Sequence, residues 1–167
     1  KNCDQNAATC NWSRTQDITI TNNIIRHCSI GLLVIGYEKG GSVGVPEEHY
    51  WMDRVLVKNN VFDDVNSVRN GGPGWAAKIG NGVMNLTIDH NTFTNNRDVI
   101  QIWNDRDNDM TDFVFTNNIA PYLGYGIKTS GYSHGGALTA MFPGATFTGN
   151  CIPGANQSSF NDYPGNF

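Results

Sequence analysis

Five stretches of the chain repeat one pattern of apolar and polar positions. Residues 18–25 (ITITNNII), 55–62 (VLVKNNVF), 86–93 (LTIDHNTF), 113–120 (FVFTNNIA) and 145–152 (ATFTGNCI) align without gaps. The first and third positions are apolar in every copy: Ile18/Ile20, Val55/Val57, Leu86/Ile88, Phe113/Phe115 and Ala145/Phe147. The sixth is always asparagine: Asn23, Asn60, Asn91, Asn118 and Asn150. Alternation at period two predicts a strand, and the polar pair after it predicts a turn. The copies start 27 to 37 residues apart, a spacing typical of solenoids and propellers. A propeller blade needs antiparallel hairpins with two-residue turns, and those signals are missing. The pattern therefore predicts parallel coils stacked strand on strand.

The asparagine gives a reason for the stack. An amide carries donors and an acceptor, so identical amides one strand apart can bond up the stack as a ladder, provided the coils stay parallel and in register. The preceding residue is Asn22, Asn59, His90, Asn117 or Gly149, types that tolerate left-handed backbone, and it is expected to turn the corner. A second strand set follows each phrase at residues 31–36 (GLLVIG), 75–80 (WAAKIG), 99–104 (VIQIWN) and 125–130 (YGIKTS). The alignment sends Leu33, Ala77, Ile100 and Ile127 to the core with Ile35, Ile79, Ile102 and Thr129. It sends Val34, Lys78, Gln101 and Lys128 outward.

This pattern resembles the right-handed parallel β-helix repeat of the pectin-lyase-like superfamily, whose coils read roughly apolar-x-apolar-x-Asn-Asn-x-apolar. The segments VFTNNIAPYLGYGIK, ALTAMFPGATFTGN and LTIDHNTF are similar to parts of large secreted bacterial β-helix proteins. The resemblance implies an all-β fold, a right-handed parallel β-helix of about five coils. It also implies a secreted or cell-surface location. Activity is left open, because the fold hosts lyases, hydrolases, epimerases, adhesins and passive scaffolds.

Composition narrows the partners. The chain has 167 residues, which suits one domain of residues 1–167, with coils over about 16–152 and polar terminal loops at 1–15 and 153–167. Both ends read as cut, so a fragment of a longer chain is expected. Net charge is −4 and no Lys/Arg run occurs, which disfavours nucleic acid. No apolar run approaches the ~18 residues that cross a bilayer. Among four cysteines, Cys3 and Cys10 flank a short polar loop and form a candidate disulfide, the alternative being four reduced thiols.

Candidate chemistry gathers on the outward face of the second strand set. Trp103, Trp75, Tyr132 and Tyr37 supply flat rings on which the C–H faces of sugars stack. Lys78 and Lys128 can meet a uronic carboxylate, or act as base if desolvated. Gln101 stands between them, and Arg106 and His134 lie on loops at the same side. Polysaccharide or oligosaccharide binding, with lyase or hydrolase chemistry open, is one reading of this set. A solvated sheet face kept soluble by two lysines is the other. Asp105, Asp107 and Asp109 alternate as hard oxygen ligands would for calcium. They depart from an EF-hand, since Met110 replaces the required glycine and Thr116 the bidentate glutamate, and a solvated acidic loop is the alternative. No other cofactor is called for. For a glycosidase pair Asp63, Asp64, Asp89, Asp98 and Asp105 are available, but no spacing selects two. Outward threonines at Thr19, Thr21, Thr87, Thr116, Thr146 and Thr148 raise flat-surface recognition, yet Leu56, Lys58, Asp89 and Val114 interrupt them. A non-catalytic scaffold that self-associates end to end through open coils is the alternative to sugar binding.

Overall fold

The computed structural model describes residues 15–36, 51–104 and 110–166. Cys3, Cys10, Tyr37 and His49, and the loop carrying Asp105, Arg106, Asp107 and Asp109, lie outside the described residues.

Each repeated phrase forms its predicted strand. β1 (Thr15–Thr21), β4 (Met52–Lys58), β7 (Val83–Asp89), β10 (Val114–Thr116) and β13 (Thr146–Thr148) stack in one parallel sheet. The register is the one the phrases require: Ile18 pairs with Val55 and Val55 with Leu86, while Phe115 pairs with both Ile88 and Phe147. Position five turns the corner as expected. Asn22, Asn59, His90, Asn117 and Gly149 all have left-handed backbone, with φ between 54° and 70°.

Beyond the corner the coils differ from expectation in one respect: positions seven and eight of the phrase are not turn but the start of another sheet. That sheet is β2 (Ile24–Cys28), β5 (Val61–Val65) and β8 (Thr92–Asn95), continued by single bridges at Ile119 and Cys151. A third sheet holds β3 (Ile30–Ile35), β6 (Trp75–Gly80), β9 (Ile100–Trp103) and β11 (Ile127–Thr129), all parallel, with β12 (Tyr132–Ser133) antiparallel at its edge. Each coil is thus a three-sided turn. Phe62 stacks on Phe93 at 4.6 Å and Phe115 on Phe147 at 5.3 Å, so the interior repeats ring on ring as the surface repeats strand on strand.

The asparagine ladder forms as drawn from the sequence. Nδ2 of Asn23 donates to Oδ1 of Asn60 at 3.0 Å, Asn60 to Asn91 at 3.0 Å, Asn91 to Asn118 at 3.0 Å and Asn118 to Asn150 at 3.2 Å. Every bond runs the same way. Each buried Oδ1 also accepts the backbone N–H of the asparagine one coil earlier, and each Nδ2 reaches strand carbonyls, as Asn91 does to Val57 and Asp89. A sixth rung follows: Asn150 donates to Asn166 at 2.8 Å.

Two expectations require correction. In β3 the register is shifted by one residue: Leu33, not Val34, pairs with Lys78, and Val34 pairs with Ile79. Leu33 is 56% exposed and Val34 3% exposed. Gly31 admits this register, because a Cβ there would lie 2.6 Å from the Ala76 carbonyl oxygen. Residues 153–166, read as a polar loop over an open coil, instead pack across the last coil. Phe160 stacks on Phe147 at 5.4 Å, Tyr163 meets the same ring edge-on, and Phe160 and Asn166 are buried. The Gly-rich break at 131–144 holds a helix, α1 (His134–Met141), whose Ala137 and Leu138 join the core.

Candidate functional site

Alternation along the third sheet puts Leu33, Lys78, Gln101 and Lys128 in one outward column, each paired in register with the next. The alternate positions Ile79, Ile102, Ile127 and Thr129 are buried, which fixes the column's orientation. Trp103 is outward on β9 and Trp75 begins β6.

Lys78, Gln101 and Lys128 line a groove of about 700 Å³ with Trp75 and Trp103. A second depression of about 380 Å³ shares Trp75, Gln101 and Lys128 and extends to Arg97, Asp98 and Tyr125. The lysines are held over aromatic rings. Nζ of Lys78 lies 4.9 Å from the Trp103 ring and 5.9 Å from that of Trp75, and Nζ of Lys128 lies 4.0 Å from Tyr125. Such contacts keep the ammonium groups above the sheet rather than folded onto it. The Gln101 amide donates to the carbonyls of Ile102 and Lys128, both at 3.3 Å.

The structure brings Trp75, Lys78, Gln101, Trp103 and Lys128 to one groove; Tyr132 and His134 do not line it. Tyr132 is exposed on edge strand β12. The His134 ring is engaged elsewhere: its Nδ1 lies 3.0 Å from the Tyr122 hydroxyl and its ring meets Phe160 edge-on. Burial raises the Tyr122 phenol above its ordinary range, and the nearby Asp98 charge adds to this. Tyr125, Arg97 and Asp98 were not singled out for this face by sequence. Tyr125 heads the same 125–130 stretch that supplied Lys128, a signal that could have found it.

The carboxylates sort differently. Among the described residues Asp98 is the one acid lining either depression; it is buried and accepts the Tyr125 N–H at 2.6 Å. Asp63 pairs with Arg26 at 3.2 Å, and Asp64 with His27 at 3.0 Å and with Arg69. The His27 bond leads in holding Asp64 below its ordinary value; burial opposes it, and Arg69 and Asn70 assist. Asp89 lies on the outer side of the first sheet. Burial pushes its carboxyl up, but bonds from Asn117, Lys58, His90 and Thr116 outweigh that and hold it well below the usual carboxylate range. These acids tie coils together. No trio of His, Cys, Asp or Glu able to hold a metal occurs among the described residues.

Comparison with known proteins agrees with this architecture. Residues 6–161 match the family described as the right handed beta helix region. No curated protein and no solved structure matches the chain. That family includes polysaccharide-acting enzymes and structural proteins. With parallel three-sided coils, an unbroken amide ladder and a family match over nearly its whole length, the chain belongs to the right-handed β-helix family.

Proposed function

We propose that this chain binds an acidic polysaccharide on the outer face of its third sheet. The observation that carries the reading is Lys78 held over Trp103 and Trp75 in a groove that also contains Lys128. Exposed rings beside fixed ammonium groups match a sugar chain's two surfaces, apolar C–H faces and carboxylates. Neither alone would select it: rings take any apolar ligand and lysines any anion.

If the polymer is also cleaved, the groove suits elimination better than hydrolysis. Hydrolysis needs two carboxyl groups about 5 to 9.5 Å apart across the scissile bond. Among the described residues Asp98 is the single acid in the two depressions, and it is hydrogen-bonded. Elimination takes the C5 proton beside the uronate carboxylate, forms the C4–C5 double bond and breaks the C4–O bond, the leaving oxygen taking up a proton. One of Lys78 and Lys128 would neutralise the carboxylate, and the other, as neutral amine, would take the C5 proton and pass it to that oxygen. Catalysis would be detected as absorbance from the new conjugated double bond.

Calorimetric titration with acidic and neutral oligosaccharides tests the binding. The acidic ligands are expected to bind, and the Lys78→Ala/Trp103→Ala double variant to weaken binding at least about tenfold. Unchanged affinity in that variant would place the ligand elsewhere.

A further inference from the structure

We infer that the groove selects a polymer bearing one anionic group per disaccharide, rather than one on every sugar. This rests on the binding reading above and deepens it. In the outward column Lys78, Gln101 and Lys128 occupy consecutive coils in strict register. Neighbouring strands lie ~4.8 Å apart, so the two lysines are anchored roughly 10 Å apart along the helix axis. That is about the length of two linked pyranose rings. A sugar chain laid along the axis therefore meets cation, amide, cation, at close to one ring per coil.

A ring stands at each of the three coils, Trp75 at the start of β6, Trp103 on β9 beside Gln101 and Tyr125 ahead of β11, so a stacking surface is offered at every sugar while the cations alternate. Lys78 has Trp103 and Trp75, Lys128 has Tyr125, and the depressions on either side share Gln101 between them. In the larger groove a carboxylate opposite Gln101 meets no cation of its own among the described residues, since Arg97 lines the second depression instead. The Gln101 Nε2 already donates to two backbone carbonyls, so stabilising that charge means giving up bonds already made. A neutral sugar at that position suffers no such mismatch, and its hydroxyls can bond the amide oxygen. Leu33, next to Lys78 on the other side, again offers no charge. The column thus alternates apolar or amide with cation over four coils.

The test compares three size-matched probes at one ionic strength: hyaluronan hexasaccharide, with one carboxylate per disaccharide, galacturonate hexamer, with one per ring, and uncharged cellohexaose. Hyaluronan is expected to bind about tenfold tighter than the galacturonate hexamer. Gln101→Lys, an outward change on a half-buried position, should reverse that order. Loss of binding to hyaluronan in both Lys78→Gln and Lys128→Gln supports the spacing. Equal or tighter binding of the galacturonate hexamer by the unmodified protein, still lost in the lysine variants, would overturn the period and leave the binding groove standing. No binding of any probe would remove the groove reading itself.

Discussion

At Asn91 a single amide holds three coils. It accepts from the Asn60 N–H and side chain and donates to Asn118, Val57 and Asp89, all in the interior. Asn91→Ala strands several of those partners in a buried site, and should cost about 3 kcal/mol in urea unfolding. Asn23 occupies the same position of its phrase but is exposed, and Asn23→Ala should cost less than about 1 kcal/mol. Equal costs would mean that ladder position, not burial, sets the energy. Asp89 makes a pH-dependent contribution. Its folded carboxyl is depressed below the unfolded value, so the stability it adds is present above about pH 4 and lost as pH falls through the lower folded value. The unfolding free-energy difference between the parent and Asp89→Asn should therefore be largest near neutral pH and shrink in acid. At this scale the sequence was readable where one residue type recurs at one position, as with the ladder and the corner. It offered Asp89 only as one of several acids, because its partners Lys58 and Thr116 come together only through stacking.

Strands are legible when their two faces differ. β4 and β7 alternate cleanly and paired as read, whereas residues 32–35 are Leu-Leu-Val-Ile, apolar on both faces, and pattern alone allowed either register. The observed register buries Leu32 and Val34 and brings the Ala76 carbonyl against Gly31, a close approach that is not written in hydropathy. Leu33→Lys should therefore change stability by no more than about 1 kcal/mol, while Val34→Lys, which buries an unpaired ammonium, should cost about 4 kcal/mol or more in thermal or urea unfolding. The reverse result would restore the original register. The second sheet was missed for a different reason. Its strands start one residue after the ladder asparagine, so Ile24, Val61 and Thr92 read as the tail of a turn. The tail of the chain hid in the same way: residues 161–166 (NDYPGN) keep the third-position aromatic and the sixth-position asparagine, but follow the previous phrase by only 16 residues.

Over the whole molecule, Arg26, Arg54, Lys58 and Arg69 are paired with aspartates, while the groove lysines lie over aromatic rings. The chain carries a net charge of −4, yet its groove presents Lys78 and Lys128. An anionic polymer on the groove would meet these lysines against an overall negative charge. Its affinity should fall as salt rises from about 0.05 to about 0.5 M, with a shallower dependence in Lys78→Ala/Lys128→Ala, measured by titration at each ionic strength. The groove was legible as a set of residues, since outward positions of one strand set share a face. Its flanks were not, because Arg97, Asp98 and Tyr125 precede their strands and reach the same face through loop geometry. The one-way asparagine ladder has a different consequence. Each rung ends in a donor toward the next coil and an acceptor toward the previous one, so a cut between any two rungs exposes complementary halves. A second copy of residues 61–91 inserted after Asn91 would meet matching partners at both seams. Half a turn would not. The molecule can therefore lengthen only in whole-coil steps, as a ratchet does, and duplication of a gene segment of that size is a route by which such a chain grows without passing through an unfolded design.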